Sequence, residues 1–188
     1  GDQMDRIIRI VVALICVMNV ASAEAKTYAY SQAGSSLKFF NKASLHGIEG
    51  TAKTFSGTLD TAAMSGALTV QATAMTTALG PRDKKMQSFC LESSKFPTIT
   101  FDVKSIEGGE ALQAATGSGK VTLVGTLKIR DVAQSIRVAT DYAFEGDALT
   151  LKGRYDFKWT DFNVPDPSIF ISTLYPEMNV QFTLKAAP

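Results

Sequence analysis

Four segments in the second half of the chain alternate between apolar and polar side chains. They span residues 120–130, 135–145, 148–159 and 178–186. Successive side chains of a β-strand point to opposite faces, so each segment predicts a strand with one apolar and one polar face. Such alternation is typical of antiparallel sheets, because buried parallel strands are apolar on both faces.

Five further strands are expected earlier in the chain, where the alternation is weaker. Their predicted bounds are 27–31, 36–44, 50–60, 67–77 and 98–106. Glycine-containing turns such as Ala33-Gly34-Ser35 and Gly146-Asp147 separate the strands. A closed up-and-down barrel buries many short strands without leaving open edges. We therefore predict an all-β fold: an extended antiparallel barrel of about eight strands with one short α-helix.

The predicted helix covers residues 84–94 and interrupts the strand pattern. Asp83 is expected to cap its N-terminus, and Pro97 prevents its continuation. Met86, Phe89 and Cys90 have the i, i+3, i+4 spacing of one helix face. A single amphipathic helix in an all-β chain is expected to cover a barrel mouth or the end of a sheet.

Residues 1–23 are predicted to be a secretory signal peptide. Arg6 and Arg9 precede an uncharged apolar run over residues 10–18, and Ala21-Ser22-Ala23 supplies the small side chains of a cleavage site. Cleavage is expected before Glu24, with Lys26 as the second choice. A membrane anchor is the alternative, but the run is shorter than the roughly 20 residues that span a bilayer. We expect one domain over residues 24–188, periplasmic or secreted.

Composition narrows the chemistry that this domain can perform. The chain has 19 Lys and Arg against 18 Asp and Glu, which gives no basic surface for nucleic acid. With one His and two Cys, a metal cage or a multi-disulfide scaffold is not expected. The sequence lacks a Gly-x-Ser-x-Gly elbow. We therefore expect no enzyme, no catalytic residue and no metal; a secreted hydrolase that depends on His46 ranks third among the hypotheses.

The aromatic residues are numerous for one small domain, and many lie at alternating strand positions. They are either ordinary core or the wall of an internal site. An eight-stranded barrel has an interior that side chains fill, or that holds one small ligand. Gly57, Gly125 and Gly153 are expected to leave room inside for an apolar chain.

Several motifs resemble those of the YceI-like family of periplasmic, lipocalin-like proteins. The similarity covers residues 26–186. Its best part runs from Arg82-Asp83-x-x-Met86 to Lys95-Phe96-Pro97-Thr98-Ile99-Thr100-Phe101. Further similar motifs are Phe55-Ser56-Gly57-Thr58-Leu59, Val124-Gly125-Thr126-Leu127-Lys128-Ile129, Asp161-Phe162-Asn163-Val164 and Leu45-His46-Gly47.

The chain also departs from the family pattern. Lys85 stands where many members have His, Asn163 replaces a usual Gly, and Arg130-Asp131-Val132 replaces a Gly-Val turn. The resemblance implies a barrel whose apolar tunnel holds a polyisoprenoid or fatty-acyl chain. The departures bear on the headgroup preference and not on the fold.

The resulting hypothesis is a periplasmic carrier or storage protein for an isoprenoid quinone, polyprenyl lipid or fatty-acid derivative. The predicted partner is therefore a lipid, with transient membrane contact and a homodimer as further expectations and no cofactor besides the bound lipid. The predicted tunnel lining is Phe39, Phe55, Met86, Phe89, Phe101, Leu123, Leu127, Val138, Tyr142, Leu151, Tyr155 and Phe157. His46 and Arg82 are predicted at the mouth. The alternative is a filled-core barrel that binds protein or envelope surface without a small ligand.

Overall fold

The structure, a computed structural model, describes residues 26–169 and 172–188. The predicted signal peptide lies outside these residues. The described part contains ten strands, all after residue 26. Their bounds are β1 Thr27–Ala43, β2 Ile48–Ala52, β3 Phe55–Asp60, β4 Ser65–Gln71, β5 Met75–Thr76, β6 Thr98–Glu107, β7 Ser118–Ile129, β8 Val132–Glu145, β9 Ala148–Lys158 and β10 Leu174–Ala187.

The strands form one antiparallel sheet that closes into a barrel. Within the described ranges, eight strands follow one another around it in the order β1, β3, β4, β6, β7, β8, β9 and β10, and β10 pairs again with β1. β2 pairs with β1 and β5 at one end of the barrel. This arrangement confirms the predicted all-β, lipocalin-like barrel. Closure leaves the eight strands without a free edge, as expected for alternating sequences.

Strand bounds differ from the prediction where the first two strands merge. The expected break at residues 33–35 is a bulge inside β1, where the register against β10 shifts between Ser31 and Ser36. Gly34 adopts the left-handed φ of +74° that such an irregularity needs. The Ser35 hydroxyl accepts a hydrogen bond from the Lys185 amide at 2.8 Å, which reattaches the bulge to β10. The turn residues at positions 33–35 therefore form a bulge within one strand and not a loop between two strands.

In the described part of the chain, two short α-helices lie outside the sheet, besides the 3₁₀-helices Ala72–Ala74 and Trp159–Phe162. α1, Gly80–Lys85, continues into a π-helical turn over Met86–Cys90, and α2, Glu110–Gln113, follows β6. α2 was not predicted, because a helix of only four residues leaves no periodic pattern. Over residues 26–169 and 172–188, no helix has the length and hydropathy of a membrane span.

One end of the barrel is sealed by its own side chains. Tyr28, Leu59, Leu112 and Leu149 are fully buried there, and Leu112 comes from α2. The opposite end carries the β1–β2 turn, the excursion between β5 and β6 that includes α1, the β7–β8 turn and the β9–β10 connection. This second end is where the interior opens.

Arg130 joins three of the segments at the open end. It occupies the β7–β8 turn with a left-handed φ of 56°. Its guanidinium pairs with Glu92, donates to the Asn163 carbonyl at 2.6 Å, and lies 5.9 Å from the Phe96 ring centroid. The β5–β6 excursion and the segment after β9 are therefore both attached to the hairpin.

Candidate functional site

The barrel encloses an apolar cavity of about 680 Å³ that opens at the end opposite α2. Pockets that bind small molecules have volumes of about 300–1,000 Å³, so this one has the size of a ligand site. Its wall consists mainly of aliphatic and aromatic side chains from the strands and from the segment around α1. The barrel interior is therefore hollow rather than filled.

Nine of the twelve side chains predicted to line a tunnel lie on the cavity wall. They are Phe39, Met86, Phe101, Leu123, Leu127, Val138, Leu151, Tyr155 and Phe157. All except Met86 come from strands, and their positions follow the inward side of the alternation. The apolar face of each of these strands therefore points into the cavity. Whether these side chains touch a ligand stays a prediction.

Phe55 and Tyr142 do not lie on the cavity wall. Both are buried in the main core, with 5% and 6% of their surface exposed. Phe55 begins β3 and pairs with Val70 of β4, which does line the cavity. The Tyr142 ring lies over Gly119 near the start of β7 and packs edge-on against Phe144. Both side chains are enclosed by other core residues and do not reach the cavity surface.

Phe89 is also absent from the wall and is 48% exposed. The predicted α-helical face fails because the helix widens after Lys85: the Leu91 amide donates to the Met86 carbonyl, five residues back. A wider turn rotates the later side chains relative to the α-helical pattern. Cys90 and Leu91 therefore share the cavity wall with Met86, while Phe89 faces outward.

The three glycines expected to leave room in the interior serve another purpose. A Cβ on Gly57 or Gly125 would lie 2.0 and 2.1 Å from the carbonyl oxygens of Ala67 and Asp102 on the neighbouring strands. A Cβ on Gly153 would lie 2.6 Å from the Phe182 ring. The space beside each glycine is already occupied. These glycines therefore allow neighbouring groups to pack closely against the backbone and do not create free volume.

The predicted mouth residues His46 and Arg82 both line the open end of the cavity. His46 lies in the exposed turn between β1 and β2. Arg82 donates from Nε to the Thr77 hydroxyl at 2.7 Å and from Nη2 to the Thr77 carbonyl at 2.8 Å. Lys85 adds a third basic side chain at the mouth, and its Nζ donates to the Pro167 carbonyl at 2.7 Å.

Asp83 does not cap a helix that begins at residue 84. Pro81 instead occupies the first turn of α1, which starts at Gly80. The Asp83 carboxylate reaches back to β5, where it accepts hydrogen bonds from the Thr77 amide at 2.6 Å and from the hydroxyls of Thr76 and Thr77. Asp83 therefore holds the start of α1 against the end of β5, beside the mouth.

Polar groups on the wall are few and mostly engaged. Asn41 donates from Nδ2 to the carbonyls of Tyr175 and Glu177, at 2.7 and 3.0 Å, next to a register shift between β1 and β10. Burial raises the pKa of the Tyr30 hydroxyl. Burial also raises the pKa of the Cys90 thiol, because its effect outweighs the lowering effect of Lys85 and Arg130. Both groups therefore favour their neutral forms.

Several wall residues were not predicted, and they are of two kinds. Val180 and Phe182 of β10 lie on the apolar side of a predicted alternating strand, so the sequence pattern already indicated that they face inward. Leu45, Leu79 and Ile169 lie in connecting segments, where no periodicity indicates which way a side chain points. Only the fold brings these three segments to the same opening.

Comparisons with known proteins agree with this architecture. A search of curated proteins found no match. Among solved structures, BcnA of Burkholderia cenocepacia superposes with a TM-score of 0.72 at 22% identity, covering 84% of this chain and 99% of that one. A polyisoprenoid-binding domain from Saccharophagus degradans, implicated in plant cell wall breakdown, gives 0.73 at 17% identity, covering 86% and 98%. A Campylobacter jejuni YceI protein gives 0.62 at 20% identity, covering 75% and 85%.

At these identities the structural matches establish the shared fold alone. The family assignment comes from the sequence itself, because the family model of the YceI-like domain matches residues 28–186. That span begins one residue into β1 and ends one residue before the end of β10, so it contains nearly the whole barrel. The chain belongs to the YceI-like domain family.

Proposed function

We propose that this protein carries or stores a long-chain apolar amphiphile, such as an isoprenoid quinone, a polyprenyl lipid or a fatty-acid derivative. The observation that carries the proposal is the open apolar cavity of about 680 Å³ inside the barrel. The similar fold of a polyisoprenoid-binding domain supports the same ligand class. The filled-core alternative requires a solid interior, whereas this barrel contains an open cavity, so that alternative is disfavoured.

Binding would be driven by removing hydrocarbon from water. Each methylene transferred into an apolar environment contributes roughly 0.8 kcal/mol. About ten buried methylenes would then contribute roughly 8 kcal/mol before the entropic costs of binding are subtracted. This driving force needs no directional contact along the tail, so selectivity would depend on cavity length and on the mouth.

The mouth favours a polar or anionic headgroup. The Nε and Nη2 atoms of Arg82 donate hydrogen bonds to Thr77, whereas its third guanidinium nitrogen, Nη1, does not bind Thr77. Lys85 lies on the same wall, and His46 faces the opening from the β1–β2 turn. A headgroup held here would leave the tail directed toward Leu151 and Tyr30.

A periplasmic location follows from the predicted leader over residues 1–23. Export would place the protein where hydrophobic intermediates must cross an aqueous space. We assign no enzymatic activity, and a homodimer remains a prediction for light scattering to test.

The test is to identify what occupies the cavity. We expect native mass spectrometry of the purified protein to show a bound lipid that organic extraction releases. The extracted protein should then take up a fluorescent prenyl chain with one-to-one stoichiometry. Absence of both a co-purified lipid and uptake would overturn the proposal. Ester hydrolysis that His46→Ala abolishes would instead favour the hydrolase hypothesis.

A further inference from the structure

The cavity mouth is surrounded by apolar side chains that face solvent. Among the described residues, the most exposed large apolar side chains include Leu45 at 64%, Ile169 at 52% and Leu79 at 51%. These three, here called the mouth rim, also line the cavity. They come from three separate connecting segments. Their convergence at one opening distinguishes them from apolar residues scattered over a surface.

The segments that carry the mouth rim are joined by hydrogen bonds. The Ser44 amide donates to the Thr173 carbonyl at 2.9 Å, and the Thr173 amide donates to the Ser44 hydroxyl at 3.0 Å. These bonds attach the turn of Leu45 to the connection that contains Ile169. Lys85 attaches α1, which follows Leu79, to the same connection through Pro167. The rim is therefore positioned by the fold.

Several basic side chains lie on the segments next to Leu79 and Leu45. α1 carries Arg82, Lys84 and Lys85. Its one acid, Asp83, accepts hydrogen bonds from Thr76 and Thr77. Lys42 is exposed at the end of β1, shortly before Leu45. Asp166 is an exposed acid in the connection that contains Ile169, and it accepts a hydrogen bond from the Ser168 amide. Of these charged residues, four are cations and two are carboxylates.

Two aromatic side chains complete the surface. Trp159 lines the cavity and donates from Nε1 to the Tyr175 carbonyl at 2.9 Å. Tyr175 itself is 45% exposed. Trp and Tyr are the side chains that favour the boundary between lipid headgroups and acyl chains. Exposed aliphatic residues, flanking cations and these aromatics together match the chemistry of an anionic membrane surface.

We infer that the mouth rim docks on an anionic phospholipid bilayer, so that a lipid tail passes between membrane and cavity without crossing water. The inference rests on the proposed carrier function. A bilayer suits this surface better than a protein partner, because the rim borders the opening that the ligand must use. A protein seated there would block the cavity, whereas a bilayer presents acyl chains to it.

Vesicle co-sedimentation tests the inference. The protein is used without residues 1–23, since every strand of the barrel follows them and an apolar leader would bind vesicles by itself. We expect binding to vesicles containing phosphatidylglycerol, at least tenfold weaker binding to pure phosphatidylcholine, and loss of binding at high salt. The double variant Lys42→Glu/Lys84→Glu should weaken binding to anionic vesicles about tenfold or more, because neither side chain lines the cavity but both flank it.

The matched control is Lys104→Glu/Lys152→Glu, which makes the same charge change at exposed positions on the barrel wall. It should bind anionic vesicles like the unmodified protein. Equal effects of the two double variants would overturn docking through the mouth. Leu45→Ser/Ile169→Ser should also weaken vesicle binding; if it instead turns a dimer into a monomer with unchanged vesicle binding, the rim is an interface between copies and the inference fails.

Uptake of the prenyl chain from cyclodextrin separates this inference from the proposed function. Because cyclodextrin delivers the chain without a membrane, Lys42→Glu/Lys84→Glu should take it up normally. Normal uptake with no preference for anionic vesicles would refute docking and leave the carrier function standing. Vesicle binding without any uptake would refute the carrier function and, with it, the transfer that the rim is inferred to serve.

Discussion

The ring of Phe182 lies over Gly153, its direct partner on the neighbouring strand, and fills the space that a Cβ there would need. Phe39 lies over Gly50 and Tyr142 over Gly119 in the same way. A ring that covers a glycine stays close to the sheet. The width of the lumen beside Phe182 therefore depends on Gly153 having no side chain.

Gly153→Ala should displace the Phe182 ring toward the lumen. The new methyl would lie 2.6 Å from Phe182 Cζ and 2.8 Å from the Ala139 carbonyl oxygen, so the ring must move. Overpacking of this kind costs about 1–3 kcal/mol of unfolding free energy. We expect that loss in urea denaturation, together with reduced uptake of a fluorescent prenyl chain.

Gly80→Ala is the matched control. A Cβ at Gly80 meets no atom within 4 Å, so stability and uptake should stay near those of the unmodified protein. Unchanged uptake by a folded Gly153→Ala protein would mean that ligand does not reach the region beside Phe182.

Leu127→Trp should obstruct the cavity directly. Leu127 lies on the wall in β7, opposite Phe101 of β6. Displacing about two methylenes of ligand removes roughly 1.6 kcal/mol, which is about a tenfold loss of affinity. Fluorescence titration with a prenyl probe measures this loss, and circular dichroism checks the barrel.

Lys128→Trp places the same ring on the next, outward-facing and exposed position of β7. It should leave prenyl affinity unchanged. If Leu127→Trp binds as tightly as Lys128→Trp does, Leu127 does not contact the ligand.

Asp83 should stabilise the mouth in a pH-dependent way. Burial alone would raise the pKa of Asp83, but the hydrogen bonds from Thr76 and Thr77 and the nearby Arg82 outweigh that effect and hold the pKa below its ordinary value. A carboxyl with a depressed pKa stabilises the folded state above its unfolded pKa of about 3.9, and the contribution disappears as pH falls through the folded pKa.

Asp83→Asn is therefore expected to be less stable than the unmodified protein at neutral pH. The difference should narrow progressively below about pH 4. Chemical denaturation of both proteins across this pH range provides the measurement. A stability difference that does not vary with pH would show that the charge of Asp83 is unimportant.

Arg130→Ala should loosen the cover of the open end. The substitution removes the ion pair with Glu92 and the hydrogen bond to the Asn163 carbonyl. Bonds that involve a charged group contribute about 2 kcal/mol, so a loss of that size is expected in thermal or urea unfolding. Hydrogen exchange should rise in the β5–β6 excursion and after β9, while β7 itself stays protected.

Arg130→Lys distinguishes charge from geometry, because an ammonium cannot bind Glu92 and Asn163 with a planar fork. We expect it to recover only part of the lost stability. Full recovery would mean that positive charge alone is needed in this turn.

The barrel strands were predictable because one physical pattern determines them. In β7, β8, β9 and β10 every second side chain faces the interior, and burial requires that face to be apolar. The packing around an inward-facing side chain has no such signature. Phe55 and Tyr142 have the same inward pattern as Phe101 and Tyr155, yet only the last two border the cavity. Whether an inward position meets a neighbour or a void depends on tertiary packing.

The residues of the mouth escaped prediction for a different reason. Leu45, Leu79 and Ile169 are far apart in sequence and lie in connections without regular geometry. Phe89 was misplaced because the prediction assumed α-helical spacing, whereas the chain forms a π-helical turn at Met86–Cys90. No local sequence signal distinguishes these two helices. The motif containing Arg82 and Asp83 did locate the mouth, although Asp83 binds β5 instead of capping a helix.

The seam of the barrel joins its first strand to its last, with Ala29 opposite Ala187. Closure must therefore wait until the C-terminal residues are available, and contacts between such distant residues form slowly. Until then β1 and β9 present unpaired edges that can associate with other chains. A partly synthesised chain has no enclosed interior, so the proposed loading with lipid would require that β10 has already been made.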